Sequence, residues 1–164
     1  PTLEGVRRLL EAGLAIQIRE YPLGTPNIRQ ATLENLPEKE PFLVLNVDIP
    51  EQVHLTEPEL AALSQIHIYG TCRIFALRDV NPLLASLAQQ SQIERIQVDF
   101  SILDEASFGY LRQMTCLSNL QLSQAFGTEA ALMDLRQALP YCQFSLPGRV
   151  LEALASEGIE PFGR

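Results

Sequence analysis

One stretch constrains this chain more than any other, Ile93 to Ser123, IERIQVDFSILDEASFGYLRQMTCLSNLQLS. It opens with Ile93-x-x-Ile96-x-Val98 and closes with Leu117-x-x-Leu120-x-Leu122, the same apolar skeleton met a second time. Alternate apolar positions are the mark of a strand with one buried face. Between the copies lies an acidic segment of helical length, Asp104 to Met114. A strand, a helical return and the same strand again is one repeating unit, and a unit with a single apolar edge has to stack on a neighbour to bury it.

The flanking chain supplies similar parts. Thr2 is placed to cap a helix carrying Leu3, Val6, Leu9 and Leu10, and Gly13 to stop it. Leu14 to Arg19 alternates as a strand does, and Phe42 to Asp48 reads as another. Between them Tyr21 to Pro41 holds Pro22, Pro26, Pro37 and Pro41, so it reads as a long irregular connection. Thr56-Glu57-Pro58-Glu59 starts a helix, with proline in its first turn and acids at the positive end of the dipole. Ile66 to Tyr69 is strand-like, Gly70-Thr71 marks a turn, and Cys72 to Leu77 is a second apolar run. Two strands and one bent strand fit these residues equally well. Asn81-Pro82 opens a helix, Thr128 caps a further one ended by Pro140, Tyr141 to Ser145 reads as a strand, and Pro147-Gly148 opens a last helix. The tail Val150 to Phe162 echoes Val6 to Ile18.

The residues that close each strand pattern are Val47, Ile68, Leu77, Val98, Leu122 and Phe144, and they recur at nearly even spacing. Only the short step from Ile68 to Leu77 breaks a period in the twenties. The segments Ile93-x-x-Ile96-x-Val98, Leu117-x-x-Leu120-x-Leu122 and Leu139-x-x-Cys142-x-Phe144 resemble the strand segment of the leucine-rich repeat superfamily. Leu135-x-x-Ala138-Leu139-Pro140-x-Cys142 is similar to the helix-to-strand junction of its members with helical returns. The clear resemblance runs from about Ala76 to Ser145. The family's asparagine position is not kept, since Ile102 stands two places after Phe100. The resemblance implies an α/β fold, a short leucine-rich-repeat-like solenoid with a mainly parallel sheet and helices on its convex face. It also implies a sheet face that grips a protein partner.

Composition narrows the partners. The net charge is −8 with 12 basic residues, and seven acids against the one lysine, Lys39, fall between Glu34 and Glu59. Such a chain repels phosphate backbones, which argues against nucleic acid and anionic membranes. A hydrophobic fraction of 46% supports a packed fold, no apolar run is long enough for a membrane span, and the opening at Pro1 without a leader reads as a processed product or, preferably, an excised piece of a larger protein. Cys72, Cys116 and Cys142 are odd in number and lie in apolar patterns, which suggests buried, reduced thiols and a cytoplasmic setting.

No catalytic or cofactor motif stands out. His67 with Cys72 is a thiol–imidazole candidate, although Cys72 also reads as a core residue. His54 and His67 are the two histidines, and neither belongs to a metal-ligand spacing. Asp104-Glu105 read as helix-capping acids. Val98 to Leu111 also resembles, faintly, the strand–loop–helix of anti-sigma-factor-antagonist (STAS) domains, which would make Ser107 a phosphate acceptor.

The reading is a single domain over residues 1–164: an N-terminal cap with its proline-rich connection (1–41), repeats (42–146) and a C-terminal cap helix (147–164). It is expected to bind a protein without catalysis, cofactor or metal, through the alternate polar residues of the sheet: His67, Tyr69, Arg95, Gln97, Asp99, Asn119, Gln121, Tyr141 and Gln143. Row by row, Gln17, Asn46, His67, Gln97, Gln121 and Gln143 are expected to align, as are Arg95, Asn119 and Tyr141. An exposed sheet end leaves room for a homodimer.

Overall fold

In the computed structural model, which describes residues 2–20, 27–37, 41–75, 79–90, 92–99, 101–123 and 129–145, the repeated skeleton lies in register across parallel strands. Ile96 pairs with Leu120 and Val98 with Leu122. Continued outward, the same rung joins Val47, Cys72, Ile96, Leu120 and Phe144, at almost equal steps along the chain. The period is therefore regular once the true register is read. Cys72 takes the place given to Ile68, and the expected strand-closing residues fall on two rungs: Val98 and Leu122 share one with Ile49 and Ile74, whereas Phe144 lies opposite Leu120 and not Leu122.

The chain begins with helix α1 (Leu3–Glu11), where the Thr2 hydroxyl accepts from the Gly5 N–H. Gly13 ends it at φ +95°, a conformation natural to glycine. Strand β1 (Ala15–Glu20) follows, then β2 (Asn27–Gln30) and β3 (Phe42–Ile49). Each later strand is preceded by a helix: α2 (Glu57–Gln65) and β4 (Ile68–Phe75), α3 (Asn81–Ala88) and β5 (Arg95–Asp99), α4 (Glu105–Gln113) and β6 (Asn119–Ser123), α5 (Glu129–Ala138) and β7 (Gln143–Ser145). These strands form one sheet in the order β2-β1-β3-β4-β5-β6-β7. From β3 to β7 all pairs are parallel, while β1 is antiparallel to both its neighbours. The fold is α/β, with a mostly parallel mixed sheet and five helices among the described residues.

Consecutive helices pack side by side, α1 on α2 through to α4 on α5. They share one hydrophobic core with the alternate strand residues, including Ile16, Val47, Cys72, Ile96 and Leu120, which have no exposed or almost no exposed surface. Gln90, after α3, is buried and joins two units. Its Nε2 donates to the Leu63 carbonyl at 2.5 Å, and its Oε1 accepts from the Ile68 N–H at 3.4 Å. A buried amide with both ends paired can be accommodated in such a core. The opposite face of the sheet carries the intervening polar residues.

Several sequence expectations change. The proline-rich connection contains β2, which adds an antiparallel edge to β1. The run from Ile68 to Phe75 is one bulged strand, because Val44 pairs with Ile68 but Asn46 with Thr71, leaving an extra residue in β4. At Gly70 an added Cβ would lie 2.4 Å from the Leu45 carbonyl oxygen, so the bulge needs a residue without one. Cys116 is exposed in the turn after α4, whereas Cys72 and Cys142 are buried as expected. Leu77, Thr128 and the last helix, with the echo of the head in the tail, lie outside the described residues.

Candidate functional site

The sheet face that none of the described helices covers is built by alternation. In β5, Ile96 and Val98 point into the core, so Arg95, Gln97 and Asp99 share the other side. Register sets their neighbours. One row runs Gln17, Asn46, Thr71, Arg95, Asn119 and Gln143, and the next runs Asp48, Arg73, Gln97, Gln121 and Ser145. The expected pairings Gln17–Asn46, Gln97–Gln121 and Arg95–Asn119 hold. His67 is not in either row, because it precedes β4. Gln143 shifts by one rung, opposite Asn119, and Tyr141 lies in the turn before β7 rather than on a strand.

A depression of about 410 Å³ opens on this face. Six of the expected residues line it, Arg95, Gln97, Asn119, Gln121, Tyr141 and Gln143, together with Thr71, Arg73, Ile96 and Ser118. Tyr141 stands at its rim, 94% exposed. His67 and Tyr69 are exposed nearer the start of β4 and Asp99 is buried toward the end of β5; none of the three lines the depression. Thr71 and Arg73 were missed in the sequence because the bulge at Gly70 hid their register.

Hydrogen bonds fix part of this surface. The Asn46 Nδ2 donates to Gln17 Oε1 at 2.6 Å, and its Oδ1 accepts from the Thr71 N–H at 3.0 Å. Asn46 thus pairs a backbone donor at the bulge. Arg73 Nη1 is 3.4 Å from Asp48 Oδ1, a long and half-exposed pairing. Gln97 Nε2 donates to Asp99 Oδ2 at 2.7 Å, and Gln121 Nε2 to Ser123 Oγ at 3.2 Å. The other Asp99 oxygen is buried without a hydrogen-bond partner among the described residues. Arg95 is exposed and enters no ion pair among the described residues.

The alternative chemistry fares worse. Burial, and then the negative charge of Asp48, push the Cys72 thiol up to about 12. A thiol held that high stays protonated near neutral pH and makes a poor nucleophile, and His67 lies exposed outside the core that holds it. Ser107 has no exposed surface. It closes the capping box of α4, its Oγ lying 2.6 Å from Asn81 Oδ1 and 3.0 Å from Asp104 Oδ1. A phosphate there would have to open the helix start and face a carboxylate. The Ser107 N–H, followed by the Asn81 side chain, holds the Asp104 carboxyl below its usual range. Asp104 is thus a capping acid, as its position suggested. No cluster of three or more His, Cys, Asp and Glu side chains suited to a metal ion occurs among the described residues, and no helix among them is long and apolar enough to cross a membrane.

Comparison with known proteins gives no matching family and no matching curated protein. Among solved structures, a chain from the structure of Chaetomium Mex67:Mtr2 subunits aligns at TM-score 0.45 and 14% identity, covering 67% of this chain and 88% of that one. A likeness at that level carries no argument about this chain.

Proposed function

We propose that the chain is a non-enzymatic protein-interaction module, a short solenoid of leucine-rich-repeat type that binds a partner through its uncovered sheet face. The supporting observation is the depression over β4 to β7, where side chains brought together by the repeat form one continuous polar surface with a projecting tyrosine. Interfaces favour such an arrangement, because tyrosine and arginine supply area and directed hydrogen bonds at modest entropic cost. A polar sheet face with no partner would solvate equally well, so the discriminating fact is loss of binding on removing side chains that support no core.

Arg95, Asn119 and Tyr141 meet that condition, being exposed or half-buried on the sheet side. The triple variant Arg95→Ala, Asn119→Ala, Tyr141→Ala should lose the partner captured by the wild-type chain from its native extract while keeping the wild-type urea midpoint. A control variant at Glu57 and Ala61, exposed on α2, should retain that partner. Unchanged affinity in a folded triple variant overturns the proposal.

A further inference from the structure

We infer that the segment received by this face is an extended, acidic stretch of a partner protein, with a carboxylate seated on Arg95. This rests on the reading of the sheet face as a protein-binding surface and adds the chemistry of what binds. In a chain of net charge −8, the charged side chains that line the depression among the described residues are two arginines, Arg73 and Arg95, and the carboxylate of Asp48 stands 3.4 Å from Arg73. Arg95 is exposed and lacks an ion pair among the described residues. Among the described residues, Arg73 is held by the long contact to Asp48. A guanidinium offers a fork of donors that matches a carboxylate, and the pairing is stronger than one between neutral groups. Gln97, Asn119, Gln121 and Gln143 surround the pair with amide donors and acceptors, the groups needed to meet the peptide units of an extended chain.

Geometry adds a spacing. Arg73 pairs with Gln97, two places beyond Arg95 on the adjacent strand. The rise over those two places and one strand-to-strand step set the two Cα positions roughly 8 Å apart. Acids at alternate positions of an extended segment, which point the same way roughly 7 Å apart, therefore reach both arginines. A nucleic acid is the less suitable anion, since its continuous charge would meet the acidic remainder of the chain beyond two arginines.

The test titrates the full chain, labelled with ¹⁵N, with the peptide Thr-Glu-Thr-Glu-Thr, with Thr-Gln-Thr-Gln-Thr and with polyuridylate. The acidic peptide should shift the amide signals of Arg95, Asn119 and Gln143, binding about tenfold more tightly than the glutamine peptide and weakening as salt rises. Arg95→Gln should erase that preference. Asp48→Asn should strengthen acidic-peptide binding several-fold by releasing Arg73, a gain that misfolding cannot produce. Equal binding of both peptides, binding of neither, or tighter binding of polyuridylate at the same residues overturns the inference. Should the Arg95, Asn119, Tyr141 triple variant nevertheless lose its native partner, only the acidic class falls; should it keep that partner, the sheet-face reading falls with it.

Discussion

Among single residues, the cysteines have the sharpest consequences. Cys72 is raised to about 12 by burial and then Asp48, and Cys142 to about 11 by burial, whereas Cys116 is exposed. At pH 8 a disulfide reagent such as dithionitrobenzoate should label Cys116 at once, and Cys72 and Cys142 only on unfolding; equal rates for all three would contradict the burial. Both raised groups lose their proton more easily in the unfolded chain, from the usual 9.0. Their contribution to stability is therefore complete below pH 9.0 and is lost as pH rises toward about 12 and about 11. The lowered carboxyls, Glu59 held first by the Thr56 side chain and Asp104 by the Ser107 N–H, act oppositely, losing their contribution in acid. The sequence could place Cys72 and Cys142 inside, because each occupies an apolar strand position. It misplaced Cys116, which stands beside buried Leu117 but in a turn, where neighbouring apolarity says nothing about orientation.

At the scale of elements, β4 holds the largest discrepancy between sequence and fold. Ile68 and Cys72 both face the core, with one more residue between them than between their partners Val44 and Val47 in β3, so a single bulged strand imitates two. The correct register was nevertheless present in the spacing. The step from Cys72 and Ile74 to Ile96 and Val98 is the same one that leads on to Leu120 and Leu122. Gly70→Ala tests the bulge directly: its Cβ would meet the Leu45 carbonyl at 2.4 Å and Asn46 Oδ1 at 2.8 Å. Backbone must shift to admit it, at a cost of about 1–3 kcal/mol. Urea denaturation should register that loss, and a variant as stable as wild type would mean that the close approach is absent. Strand β2 escaped the sequence reading for another reason. Its residues are mostly exposed, without the alternation that betrays a buried face, and as an edge strand it needs pairing on one side only. Helices were easier to read, because the caps at Thr2 and Asp104 and the glycine at Gly13 are local signals.

For the molecule as a whole, the period of the repeat explains both the core and the proposed site. The apolar residues of each unit stack toward the helices, and the residues between them must then align on the far side. Arg95, Gln97, Asn119 and Gln121 were legible for that reason. Tyr141 was legible as a residue but not as a rim group, since only the turn before β7 lifts it away from the strand. Thr71 and Arg73 waited on the bulge. The claim that this face is where a partner sits is tested most directly by hydroxyl-radical footprinting of the chain free and saturated with its captured partner. Tyr141, 94% exposed, should lose most of its labelling in the complex, while Leu33, 50% exposed in the turn that follows edge strand β2, should be labelled as before. Protection of Leu33 with Tyr141 still fully labelled would contradict the account.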